Sequence, residues 1–266
     1  MRNYNWLIVA GRGMNVFSLQ QGDHFVEPEL TPILPQETFC FSCTPDVPCF
    51  NDCCRDLNQF LTPFDVLRLK NHLGLSSGQF HDRYTSRHIG PESGLPIVTL
   101  RLDDPGKSIC PFVSEEGCTV YENRPSSCRT YPLLRAVRRS RRTGKITEQF
   151  MVLKEPHCRG FLQGNTQSVR QWLDAQKVTF YNEINDKLLD IISLKNRLIR
   201  GPLDSKSRHL FYIALYDLDN FRSQIADNGL LDNFHTGSRL LDAALEDDVA
   251  LLELGMNWIK HVLFKQ

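Results

Sequence analysis

Phe39-Cys40-Phe-Ser-Cys43-Thr-Pro-Asp-Val-Pro-Cys49-Phe-Asn-Asp-Cys53-Cys54 places five of the chain's nine cysteines within fifteen residues. A core does not call for thiols at that density, because Val, Ala or Leu packs as well without the reactivity. The other four follow at Cys110, Cys118, Cys128 and Cys158. Convergent thiolates are the means by which a protein holds zinc or an iron–sulfur cluster. Metal ligation by all nine, with the first cysteine group brought against the second, is therefore the expectation around which the chain is read.

The loops between these residues suit ligation. Cys40 and Cys43 have the two-residue spacing that wraps one metal, and Pro45, Asp46 and Pro48 favour turns that return Cys49 to the same place. Cys53 and Cys54 are harder to use together. Adjacent side chains on a helix diverge by about 100°, so one of the two is expected to serve another site, a shared edge or the core. In the second group Cys128 lies just inside a helix begun by Asn123-Arg124-Pro125-Ser126, where Pro125 sacrifices no hydrogen bond. The free N–H groups of that first turn favour a thiolate. Cys158, after Pro156-His157, completes a second set of four, with His157 a weaker candidate ligand. Four thiolates around Zn²⁺ or a [4Fe–4S]²⁺ core leave a net charge of about −2. Arg124 and Arg129 flank Cys128 and are the residues expected to neutralise that charge at the cofactor's rim.

The totals bound the class. A chain of 266 residues buries a full core without disulfides, and a hydrophobic content of 41% with 23% charged residues is that of a globular protein. Lys+Arg and Asp+Glu cancel at 31 each, which removes any global attraction to nucleic acid or an anionic membrane. The longest apolar run near the start, Trp6 to Ala10, is too short for a membrane span or a secretory segment. The reducing cytoplasm is then the expected compartment, where clustered cysteines bind metal rather than form disulfides.

The rest of the chain reads as a mixed α+β fold in three stretches. Residues 1–36 lack periodicity and end in a proline-punctuated lead-in. Gly11-Arg-Gly13 lacks the third glycine of a dinucleotide fingerprint, since Val16 stands there, and Met14 offers an alternative start that leaves the first thirteen residues without a structural role. Residues 37–165 form the cysteine-rich domain. In it Thr62-Pro63 opens a helix closed by Gly74, and Ser76 caps a second through about Thr85. Pro96 to Leu102 reads as a strand ending at the turn Asp103-Asp-Pro-Gly106, and short strands follow at 108–113 and 118–120. Tyr131 to Val137 and Ile146 to Leu153 pair around Arg138-Arg-Ser-Arg-Arg-Thr-Gly-Lys145, a basic tip with five positive charges in eight residues. Residues 166–266 read as three amphipathic helices, 168–199, 204–226 and 237–264, packed on the cysteine domain. A protein partner would meet the helical region or the basic tip 138–145.

Gly117-Cys-Thr-Val-Tyr-Glu-Asn-Arg-Pro-Ser-Ser-Cys-Arg-Thr-Tyr-Pro132 resembles the G-x-C-x-[IV]-Y-x-x-R-P-x-x-C-R-x-[FY]-P signature of the YkgJ-like cysteine-cluster family, also described as a zinc- or iron-chelating CxxCxxCC domain. The Cys40–Cys54 block resembles that family's N-terminal cluster with wider loops: five residues separate Cys43 from Cys49 and three separate Cys49 from Cys53. The resemblance covers about Phe39 to Phe161. It implies a zinc- or iron-binding protein; with the number and crowding of the thiols, the expected cofactor is an iron–sulfur cluster, 4Fe–4S favoured, or zinc. Flagellin lysine N-methylases are similar in their cysteine region, which implies a cluster-dependent enzyme as one alternative; an interaction module with a purely structural zinc is another. The methylase alternative lacks a strand–Gly-rich-loop–helix for S-adenosylmethionine, and a radical-type triplet from Cys49 and Cys53 would need cysteine where Asp56 stands.

Overall fold

The computed structural model describes residues 7–9, 28–55, 58–91, 93–102, 109–140, 143–162, 164–232, 234 and 237–265. Gly11-Arg-Gly13, Met14, the turn at 103–106 and Arg141-Arg142 of the basic tip lie outside them. The chain gathers into two units, each made of two separate segments: Met1–Phe60 with Leu102–Phe180, and Leu61–Arg101 with Tyr181–Gln266. The divisions at 36/37 and 165/166 read from the sequence do not coincide with these.

The first unit is built on an antiparallel hairpin. Leu133–Arg139 and Ile146–Lys154 pair in the register Leu133↔Val152 to Arg139↔Ile146. Leu7–Val9 adds to the outer edge of the first strand and Glu29–Ile33 to that of the second. Leu7–Val9 thus has a structural role that the absence of periodicity had concealed. Pro32 sits on an edge strand, where a residue without an N–H is tolerated. A second small sheet pairs Thr38–Cys40 with Thr166–Ser168, so the cysteine-rich stretch begins as a strand. Phe39 and Phe41 project from it into a core with Leu133, Phe150, Val152 and Val169. The Phe41 ring lies 5.6 Å from Trp172, 5.7 Å from Tyr131 and 5.1 Å from Phe161. Such ring contacts add to the burial energy of each aromatic, and they fix the residue between Cys40 and Ser42 in place. The expected strands at 108–113 and 118–120 shorten to a two-residue ladder, Val113–Ser114 with Gly117–Cys118.

The second unit is mostly helical. Pro63–His72 and Ser77–Tyr84 start at Thr62 and Ser76, each closing a capping box with Asp65 or Gln79. Thr85–Ile89 is a strand paired with Pro96–Leu100. The remaining helices are Val178–Leu198, Ser205–Tyr216, Leu218–Asn228, Ser238–Glu246 and Asp248–Phe264. Three long helices were expected, and each is broken once. Lys177, at φ 54°, separates Val169–Ala175 from Val178–Leu198. Asp217 and Asp247 stand at the other two breaks, and the Asp247 side chain accepts the Ala250 N–H as an N-cap. The helices close their core only with residues 61–101. Phe64 meets Tyr181 at 4.9 Å, the Tyr216 hydroxyl donates to the Leu61 carbonyl at 3.3 Å, and Lys70 pairs with Asp219 and Asp248 at 3.4 and 3.6 Å. This is why 61–101 belongs with the C-terminal helices. Among the described residues no helix is long and apolar enough to cross a membrane.

His81 is a buried histidine of this unit. As a neutral ring it donates from Nε2 to the Tyr216 carbonyl at 2.8 Å and faces Thr85 Oγ1 from Nδ1 at 3.0 Å. Burial, with Arg87 nearby, lowers it from the ordinary 6.5, against the Tyr216 carbonyl, Asp217 and Asp82, which pull the other way. Below the unfolded value the unfolded chain takes a proton that the folded chain refuses, so stability falls with falling pH. Thermal melts at about pH 7.5 and about pH 5.5 check this. The native chain should lose more stability on acidification than His81→Gln does; equal losses would remove His81 as the cause.

Candidate metal centre

Three segments of the first unit bring thiols together. The first is a turn of 3-10 helix, Asp52–Cys54. It is tied to the second by a bridge between Arg55 and Ile109 and by the Cys110 N–H donating to the Cys54 carbonyl at 2.9 Å. Asn51 Nδ2 donates to the Ser114 carbonyl at 3.0 Å, which seats the same turn on the Val113–Cys118 hairpin. Gly117, at φ +123°, has the Phe50 ring 3.1 Å from where a Cβ would stand, so this close approach needs glycine. The third segment is the short helix Ser126–Thr130 carrying Cys128. Gln59, 1% exposed, joins it to the first segment: its Oε1 accepts from Cys128 Sγ at 3.4 Å and its Nε2 donates to Ser127 Oγ.

The result is a gathering of five sulfurs. Cys54 is hydrogen-bonded to Cys53 and lies within electrostatic reach of Cys110 and Cys128. Its thiol is driven far above its ordinary value, by the Cys53 side chain first, then by burial, then by the charge each neighbour would carry. Cys118 lies within electrostatic reach of Cys53 and is also raised, mainly by burial, with a Val120 backbone hydrogen bond and Arg124 opposing the rise. Cys53 and Cys54 therefore meet side chain to side chain; of another site, a shared edge or the core, this is nearest the shared edge. Their 3-10 turn is followed at once by the extended Arg55, so no regular helix carries the two apart.

The other four cysteines of the unit are Cys40, Cys43, Cys49 and Cys158. Cys49 is within hydrogen-bonding reach of Cys158, and the Arg159 N–H donates to the Cys49 sulfur at 3.0 Å. Cys40 Sγ donates to the Gly164 carbonyl at 3.3 Å, and Cys43 is exposed. The nine thiols thus sort by their surroundings and not by their order along the chain. His157 is exposed, with Nε2 3.8 Å from Glu155 Oε2.

The nine cysteines are thiols and not disulfides, and among the described residues no three Cys, His, Asp or Glu side chains stand close enough to hold a metal ion as they are. The five sulfurs lie within electrostatic reach of one another but are not arrayed around one point. The donor set still fits zinc or iron. It is all sulfur, which soft metals select. The crowding that prevents Cys53, Cys54, Cys110 and Cys128 from ionising together is the condition that a cation among them relieves.

Both motif arginines are buried, Arg124 at 7% and Arg129 at 3% exposure. Arg129 donates from Nη1 to the Gln176 carbonyl at 2.7 Å and from Nη2 to the Glu122 carbonyl at 2.6 Å. Arg124 donates to the Tyr121 carbonyl and to Gln176 Oε1, and its guanidinium lies 3.7 Å from the Tyr121 ring centre. It is within electrostatic reach of Cys118 and Cys128, while burial and the neighbouring Arg129 lower its own proton affinity. The guanidinium groups thus tie the segment 121–129 to the end of helix Val169–Ala175. Gln59 and Gln176 take part in this arrangement without any signal in the sequence.

Residues 42–159 match a family model, CxxCxxCC, described as "Putative zinc- or iron-chelating domain". Over these residues the chain is similar to the CxxCxxCC family of cysteine-cluster domains. No curated protein and no solved structure matches the chain. The match of this CxxCxxCC domain ends at Arg159, next to Cys158, so it spans all three segments that gather thiols.

Arg129→Gln removes two charge-assisted hydrogen bonds from a buried guanidinium to the Gln176 and Glu122 carbonyls and should destabilise the metal-free protein by about 2–4 kcal/mol. Denaturant melts of metal-free protein measure it. A loss within about 0.5 kcal/mol would show that the clamp on Glu122 and Gln176 contributes nothing.

Proposed function

We propose that the protein is a metal-binding protein whose centre is held by Cys53, Cys54, Cys110 and Cys128, with Cys118 at its edge, and that the metal is iron in a 4Fe–4S cluster. The observation that carries this reading is the meeting of Cys53, Cys54, Cys110 and Cys128 from three chain segments pinned together by the Cys110–Cys54 and Gln59–Cys128 hydrogen bonds. Four thiolates is the number that both a cubane cluster and a closed zinc site take. The buried Arg124 and Arg129 beside Cys118 and Cys128 offer the positive charge that a cluster dianion needs, which supports the cofactor role assigned to them. When bound, the cluster would supply electron transfer; the chain's part is to present sulfur, exclude water and hold compensating charge.

Protein purified without oxygen should be brown, absorb near about 400 nm and contain iron and sulfide. Colourless protein with stoichiometric zinc would overturn the cluster and support the module with structural zinc. Protein that folds fully with neither metal would overturn the centre itself.

Single changes locate it. Cys54→Ser and Cys128→Ser should each lower metal content and melting temperature together, because the energy of binding is part of the energy of folding. Unchanged occupancy in both variants would place the metal elsewhere.

A further inference from the structure

The second unit carries a cavity of about 520 Å³, and no cysteine lines it. Its walls come from three places in the chain: the helix Pro63–His72, the helix Leu218–Asn228, and the junction between Ser238–Glu246 and Asp248–Phe264. Sites for small molecules span roughly 300–1,000 Å³, so a ligand has room here. The lining offers three kinds of surface. Leu67, Leu245 and Val249 are apolar. Glu246 and Asp247 bring exposed carboxylates, and Asp247 uses one oxygen on the Ala250 N–H at 2.7 Å. Arg68 and Arg222 bring guanidinium groups. Arg222 is set in place by its neighbours. Its Nη2 donates to Asp248 Oδ1 at 2.5 Å, and Asp248 is held in turn by Asn71 Nδ2 at 2.8 Å and by Lys70 Nζ at 3.6 Å. Arg222 Nη1 lies 3.9 Å from Asp219 Oδ1, beyond hydrogen-bonding distance, and Nε makes no hydrogen bond among the described residues. A guanidinium fixed by one carboxylate, with donors still to fill, is arranged to take a second.

We propose that this cavity binds a free α-amino acid with an aliphatic side chain. The ligand's carboxylate meets Arg222 and Arg68, since a guanidinium pairs with both carboxylate oxygens at once. Its ammonium meets Glu246 and Asp247, and its side chain lies on Leu67, Leu245 and Val249. A simple anion would face the two carboxylates, and a simple amine would face the two guanidinium groups. Like charges placed opposite each other cost affinity. A molecule that carries both charges on neighbouring atoms satisfies both walls. The ion pairs that join Lys70, Asp219, Arg222 and Asp248 hold the charged wall in position before a ligand arrives, which lowers the cost of ordering it.

The site rests on no thiol and no metal, so it stands or falls apart from the centre proposed above. Calorimetric titration of the full-length protein with L-leucine tests it. The expected result is one leucine per chain with a Kd of about 1 mM or below. Leucinamide, which lacks the carboxylate, and 4-methylpentanoate, which lacks the ammonium, should each bind at least about tenfold more weakly. Glu246→Gln and Arg68→Gln should each weaken leucine binding about tenfold and leave the melting temperature unchanged, because both side chains are exposed. Absence of saturable binding up to about 10 mM leucine would overturn the proposal. Leucinamide or 4-methylpentanoate binding as tightly as leucine would overturn it too, leaving a site for amines or for anions. So would a leucine affinity that neither variant changes, which would put the ligand elsewhere.

Discussion

Two buried guanidinium groups hold the sulfur-bearing part of this protein in shape. Arg124 and Arg129 lie on either side of Cys128, and between them they satisfy the carbonyls of Tyr121, Glu122 and Gln176. A buried cation is costly unless its hydrogen bonds are made. Here these bonds go to backbone oxygens at the ends of short elements. The five-residue helix Ser126–Thr130 has too few internal bonds to persist by itself. It stands because the arginines tie it to Val169–Ala175, and because Trp172 Nε1 donates to the Thr130 carbonyl at 3.0 Å. The R-P-x-x-C-R run is accordingly a structural device as much as an electrostatic one.

The thiols are brought together by this frame. Cys54 carries the largest burden, since Cys53, Cys110 and Cys128 all oppose its ionisation. In the absence of a cation, neutral thiols with hydrogen bonds are the stable state of such a group. The same proximity that suppresses ionisation makes the group a sink for a soft dication or a cluster, because each thiolate formed then gains the cation's attraction. The hydrogen-bonded Gln59, at 1% exposure, adds a neutral dipole and no further negative charge.

Local features were legible from the sequence and non-local ones were not. Thr62-Pro63 and Ser76 with Gln79 announce helix starts because a cap is written within four residues. The hairpin 133–154 is legible for the same reason: its strands alternate and its tip is charged. By contrast Thr85–Ile89 becomes a strand only because Pro96–Leu100 lies beside it, and Asp217 and Asp247 interrupt apolar periodicity that continues on both sides. The cysteine-rich domain was visible as a metal-binding stretch. How its members divide was not: Cys49 leaves its neighbours for Cys158, over a hundred residues away, while Cys53 and Cys54 turn to residues 110–128. Spacing along a chain records loop lengths, and the partition depends on which loops a core brings together.

Each unit is made of two stretches of chain, and this sets an order on the ribosome. Residues 40–54 emerge first, but the thiols they must meet arrive only with 110–128, and the Gln176 carbonyl that anchors Arg129 later still. Meanwhile 61–101 must wait for 181–266 to close its own core. The thiol-bearing unit therefore has all its parts once residue 180 is out, with the last third of the chain still unmade. Until then five thiols near the leading end are exposed without partners, and protection of that nascent segment, from oxidation above all, falls to the cell and not to the fold.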